Sequence, residues 1–133
     1  MNDPYTNTDF CVQRLIKYYK EHGNLIVAFD WDDTCHDWHN KSFRYPRVIE
    51  LLKRCNKHNF RLIPYTAATL DRYEKIRQDI ASIGIYAEEI NKNPVELVGN
   101  NGKIYYNILL DDRAGLGQAV EILETTLDII EKS

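Results

Sequence analysis

Five apolar residues in a row, Leu25-Ile26-Val27-Ala28-Phe29, stand between Gly23-Asn24 and a run of acids. A short unbroken apolar run reads as a strand buried on both faces, the centre of a sheet. Before it, from about Asp9 to His22, Cys11, Leu15, Tyr18 and Tyr19 fall on one helical face, with Thr8 placed to cap the start and Gly23 beyond the end. After it, Pro46 suits the first turn of a second helix, whose apolar positions Val48, Ile49, Leu52 and Cys55 recur at helical spacing before Asn59. Arg61 to Tyr65 reads as the next strand, with Pro64 at the end where a missing N–H is tolerable. Thr69 is positioned to cap a third helix carrying Tyr73, Ile76, Ile80 and Ile83 before Gly84. Ile85 to Ile90 and Tyr105 to Leu110 read as further strands. Leu116, Ala119, Val120, Leu123, Leu127 and Ile130 mark a final amphipathic helix from about Gly115. The predicted order is α-β-α-β-α-β-β-α. Strands alternating with helices imply an α/β fold with a mainly parallel sheet covered on both faces.

The chain has 133 residues, 44% hydrophobic and 28% charged, without a repeat, low-complexity tract or linker, so residues 1–133 are expected to form one domain. Its longest apolar run is far shorter than the roughly 20 residues that cross a bilayer, so no membrane partner is expected. Met1-Asn2-Asp3-Pro4 is neither basic nor hydrophobic, and the expectation is a cytoplasmic protein. Three cysteines, Cys11, Cys35 and Cys55, without CxxC spacing fit free thiols in a reducing compartment. A net charge of −3 argues against nucleic-acid binding through bulk positive charge. Lys41, Arg44, Arg47, Lys53, Arg54, Lys57 and Arg61 nevertheless share one stretch whose sole acid is Glu50, and Glu121, Glu124, Asp128 and Glu131 gather near the other end. Both sets read as solvated helix faces.

In parallel α/β sheets, ligand sites form at the carboxyl ends of the strands. Here the first strand is followed by Asp30-Trp31-Asp32-Asp33-Thr34, the second by Thr66, and the last by Asp111-Asp112-Arg113, with Lys103 just ahead of that strand. Side chains two apart in extended chain point the same way, so Asp30 and Asp32 can face one site. If these acids converge with one of the final pair, each pair of like charges at about 4 Å costs about 4 kcal/mol at an effective dielectric near 20. A hard divalent cation with few protein ligands and several waters, as Mg²⁺ is usually held, offsets that repulsion.

These residues resemble the haloacid dehalogenase superfamily, whose first motif is Asp-x-Asp-x-Thr directly after a hydrophobic strand. Leu25 to Thr34 fits that motif, Thr66 matches the Thr or Ser ending the next strand, Lys103 the family lysine, and Asp111-Asp112 the later acidic pair. The likeness spans residues 25–113. It implies a Rossmann-like three-layer α/β/α sandwich and a phosphomonoester hydrolase with Asp30 as nucleophile, forming an aspartyl phosphate that water then hydrolyses. It also implies Mg²⁺ bound by the Asp30 carboxylate, the Asp32 main-chain carbonyl and Asp111, with Asp112 ligating directly or through water. Asp32 becomes general acid and then general base, while Thr66 and Lys103 hold the transferring phosphoryl group. Cys35 to Tyr45 and Ala87 to Gly102 leave room only for loops where family members insert cap domains, so the resemblance is to capless members. An open site suits phosphoproteins and nucleic-acid ends as well as small phosphorylated molecules. The Asp-Asp-Arg run is also similar to the phosphatase half of polynucleotide kinase-phosphatases.

Other readings compete. A phospho-receiver domain shares the sheet, the acid cluster, a Thr and a Lys, but carries an adjacent acid pair after its first strand and a phosphorylated Asp after its third, where nothing acidic follows Tyr65 directly. A phosphate- or metal-binding module without turnover is a further alternative. Cys35, His36 and His39 offer three local zinc ligands without a fourth; a loop beside the active site, with Trp38 or His39 near substrate, is the preferred reading. Gly99-Asn100-Asn101-Gly102 reads as a turn.

Overall fold

A computed structural model describes residues 6–40, 45–94 and 104–133. Helix α1, Thr8–His22, leads into strand β1, Ile26–Phe29; α2, Pro46–Lys57, into β2, Arg61–Pro64; and β3, Ile108–Leu110, into α4, Leu116–Lys132. Between β2 and β3, a 3-10 turn at Leu70–Arg72 opens α3, Tyr73–Ser82. The three strands form a parallel sheet in the order β2-β1-β3, with Val27 opposite Leu62 and Ile108 and Phe29 opposite Pro64 and Leu110. The fold is therefore α/β with a small parallel sheet, and the apolar run from Leu25 supplies its central strand, buried throughout. No helix among the described residues is long and apolar enough to cross a membrane.

Alternation along β1 splits the core. Val27 and Phe29 join Leu62 and Leu110 and the buried side chains of all four helices, including Leu15, Leu52, Ile76 and Leu123. Ile26 and Ala28 face the other way, with Ile63, Ile104 and Leu109, in a cluster that holds no helical residue. Among the described residues, helices thus cover one face of the sheet, against the expectation of two covered faces.

Several boundaries move for local reasons. The N-cap of α1 is Asn7, not Thr8, because the Asn7 side chain accepts the Phe10 N–H at 3.0 Å. Gly23 ends α1 as expected, its φ of 69° lying in the left-handed region that glycine enters without strain. Thr69 makes no side-chain cap; its carbonyl instead accepts the Arg72 N–H of the 3-10 turn. Pro64 is compatible with β2 through parity: Arg61 and Tyr65 both donate their N–H to β1, so the Pro64 nitrogen faces the opposite edge.

Ile85 to Ile90 is not a strand. Only Glu88 N–H, to the Leu62 carbonyl, and then Asn91 N–H, to the Pro64 carbonyl, reach β2. The Asn56 side chain occupies both backbone groups of Tyr86 at 2.9 Å, taking the place of a ladder. The last strand is also shorter than Tyr105 to Leu110. Tyr105 donates its N–H to the Asn93 side chain, and the Asn107 side chain takes the Ile26 N–H before pairing begins at Ile108.

The basic and acidic runs meet each other across α2 and α4. Arg47 forms a two-bond pair with Glu124 at 2.7 and 3.0 Å, and Arg54 reaches both Asp128 and Glu131. Exposed pairs of this kind are screened by solvent and contribute little, so they orient the two helices more than they stabilise them. Lys41 and Arg44 of the basic run lie outside the described residues.

Candidate active site

The carboxyl ends of all three strands open into one cleft of about 450 Å³, lined by Asp30, Asp32, Thr66, Arg72, Asp111 and Asp112 with Trp38, His39, Tyr65 and Arg113. The register explains the convergence. Asp30 follows β1 and donates its N–H to the Leu110 carbonyl at 2.8 Å, which sets it beside the first residues after β3. Carboxylate oxygens of Asp30, Asp111 and Asp112 lie within 4.8 Å of one another.

Thr34 ties this cluster together. Its hydroxyl accepts the Asp112 N–H at 2.9 Å and lies 3.3 Å from Asp30 Oδ2 and 3.2 Å from Asp112 Oδ1, so its one proton serves one carboxylate at a time. Asp33, with φ of 63°, turns the chain so that Thr34 comes back under Asp30. Asp111 is oriented through its Oδ1, which accepts the Arg113 N–H at 2.9 Å.

The Asp30 carboxyl is pushed up to about 7, first by burial, then by the hydrogen bond shared with Asp112 and the charges of Asp111 and Asp112, with the Thr34 hydroxyl acting in the other direction. A carboxyl whose folded value lies above its ordinary 3.8 favours folding while protonated; that stability is complete below about pH 4 and is lost as pH rises through 7. In chelator, Asp30→Asn is accordingly expected to raise the melting temperature at about pH 8 by a few degrees, the reach of about 1 kcal/mol after solvent screening of a partly exposed group. The gain should shrink as pH falls and vanish only below about pH 4, where Asp30 is neutral in the folded and the unfolded chain alike. Thermal melts at the two pH values check this, and identical wild-type and variant melts at the higher one would contradict it.

Asp32 lines the same cleft but stands apart from the three-carboxylate cluster. Its two oxygens accept from Arg72, Nη1 at 2.8 Å and Nη2 at 3.0 Å. The Arg72 guanidinium lies 4.0 Å from the Trp38 ring centroid, and Trp38 remains half exposed. Thr66 is buried at the end of β2, where its hydroxyl accepts the Ala68 N–H at 3.1 Å. Asn91, at φ 57°, grips the backbone of Thr66 from both sides, accepting its N–H at 2.8 Å and donating to its carbonyl at 2.7 Å. Lys103, the remaining expected site residue, lies outside the described residues, as does the turn at 99–102.

Sequence reasoning missed Arg72 and Asn91. A cation just before a helix start is electrostatically unfavourable, so Arg72 ahead of α3 was a signal that some acid holds it. Asn91 gave the signal of a residue tolerant of positive φ beyond an apolar run. The zinc alternative does not assemble among the described residues: the Cys35 thiol is buried and donates to the Asp30 carbonyl, His36 stacks on Trp31, and His39 bonds Asp33. Burial pushes the Cys35 thiol upward, away from the thiolate that zinc needs.

No family model and no curated protein matches the chain. A solved structure, that of a conserved protein coded by a locus of Bacteroides thetaiotaomicron, is similar at a TM-score of 0.62 and 23% identity, covering 83% of this chain and 93% of that one. At that identity the likeness shows the fold alone.

Proposed function

We propose that the chain is a Mg²⁺-dependent phosphomonoester hydrolase of capless haloacid dehalogenase type, working through an aspartyl phosphate on Asp30. The observation that carries this reading is the convergence of Asp30, Asp111 and Asp112 at the sheet's carboxyl end, with Asp32 in the same cleft. Three carboxylates with hard oxygen donors, one of them pushed up by burial and then by its neighbours, fit a hard cation and suit no soft one. Asp30, Asp111 and Asp112 would hold Mg²⁺, which supplies charge neutralisation where an anionic nucleophile meets an anionic phosphoryl group.

Asp30 Oδ attacks phosphorus as the bond to the leaving oxygen breaks, and Asp32 gives that oxygen a proton. Asp32 then takes a proton from the water that attacks the aspartyl phosphate, returning Asp30 and releasing inorganic phosphate. Thr66, whose backbone Asn91 holds through two hydrogen bonds, would bind the transferring phosphoryl oxygens, with Lys103 as the family's second phosphate partner. The cleft is open and residues 87–94 form neither helix nor strand, which supports a site without a cap that admits small phosphates, phosphoproteins or nucleic-acid ends. Phosphate release from a panel of phosphomonoesters, with and without Mg²⁺, tests the reading. Metal-dependent release is expected; folded protein that binds Mg²⁺ and turns over no member of the panel would point instead to a binding or receiver role.

A further inference from the structure

Arg72 occupies a position that the proposed chemistry does not yet use. Its guanidinium fork engages both oxygens of Asp32 while its plane packs on Trp38, inside the cleft that holds the acid cluster. Both partners are part-buried, with side chains 27% and 20% exposed, so the pair is neither a solvated surface contact nor an inaccessible one. The planar fork that matches a carboxylate bidentately matches two phosphoryl oxygens equally well, and a stacked guanidinium is pre-organised for either. A carboxylate with both oxygens facing N–H donors cannot present a proton to a leaving group along those directions.

Resting on the phosphatase reading, we propose that Arg72 is an exchangeable latch: in the free protein it holds Asp32, and on substrate binding it passes its fork to the phosphoryl oxygens and releases Asp32 for proton transfer. Released Asp32 takes a proton from solvent, donates it to the leaving oxygen as the P–O bond breaks, and recovers one from the attacking water. Trp38 keeps the guanidinium plane in the cleft through the exchange. Asp32 and phosphate then compete for one cation, and the apparent affinity for phosphate is reduced by the fraction of time Arg72 spends on Asp32.

Binding of inorganic phosphate to the Mg²⁺-loaded full chain, measured by calorimetry, tests the latch without needing turnover. Arg72→Ala is expected to weaken phosphate binding at least about tenfold, with Arg72→Lys, which keeps charge and loses the fork, between it and wild type. Asp32→Asn is expected to tighten binding at least about threefold, and the Asp32→Asn/Arg72→Ala double variant to lose that gain. Circular dichroism melts confirm that each variant is folded. A gain from Asp32→Asn that persists undiminished without Arg72 would reflect simple charge removal and overturn the latch, as would phosphate affinity unaffected by Arg72→Ala. The two readings separate cleanly: phosphate bound through Arg72 by a chain that turns over no ester sinks the phosphatase and keeps the exchange, whereas turnover with Arg72-independent phosphate binding does the reverse.

Discussion

Asp30→Asn is expected to lower phosphomonoester turnover at least about a thousandfold, the scale on which loss of a covalent nucleophile is felt. The substitution keeps the shape of the side chain and removes the charge that attacks phosphorus. It also removes one of three carboxylates whose oxygens converge within 4.8 Å, so Mg²⁺ should protect the variant less against thermal unfolding. Those two effects have different remedies. If Asp30 were a metal ligand alone, saturating Mg²⁺ would restore turnover; if it is the nucleophile, turnover stays low at any Mg²⁺ concentration. Steady-state kinetics across a Mg²⁺ titration make the distinction, and recovery of activity would remove Asp30 from the nucleophile's role.

The largest effect on stability is expected at Phe29. Its ring is fully buried in the central strand, between Pro64 and Leu110 across the ladder, and packs into the cluster that all four helices share. Phe29→Ala should cost about 3–5 kcal/mol, the transfer of the ring plus the cavity left behind, and lower the melting temperature by about 10–20 °C. Leu70→Ala, at a residue 79% exposed, is the matched control and should change stability by less than about 0.5 kcal/mol. Denaturant unfolding compares the two. A Phe29→Ala cost near that of the control would mean that β1 is not the centre of the core.

The elements legible in the sequence are those with one dominant physical signal. The Leu25 to Phe29 run could be little but a buried strand, and Pro46 with Val48, Leu52 and Cys55 defined α2 by chemistry and period together. The acids after β1 and β3 were legible as a converging set, because a parallel sheet places successive strand ends side by side. What the pattern could not reveal depends on side chains that replace backbone partners at a distance. Asn56 satisfies Tyr86, so the apolar Ile85 to Ile90 stretch lies beside β2 without forming a strand. Asn107 does the same at the start of β3. Arg72 and Asp32 stand 40 residues apart, and Asn91 and Thr66 stand 25 apart, separations at which no local periodicity carries information. The single helical layer among the described residues had a similar origin: Ile26, Ala28 and Ile63 are as apolar as a doubly covered sheet requires, and composition does not reveal which elements cover them.

Peptide mapping by mass spectrometry of Asp32→Asn, after incubation with Mg²⁺ and an aryl phosphate whose leaving group departs with little acid assistance, tests the covalent intermediate itself. Without a general base to activate water, the intermediate should persist. One added phosphoryl group is expected, on Asp30. A phosphoryl group on Asp111 or Asp112, or turnover by wild type with no adduct on the variant, would contradict it.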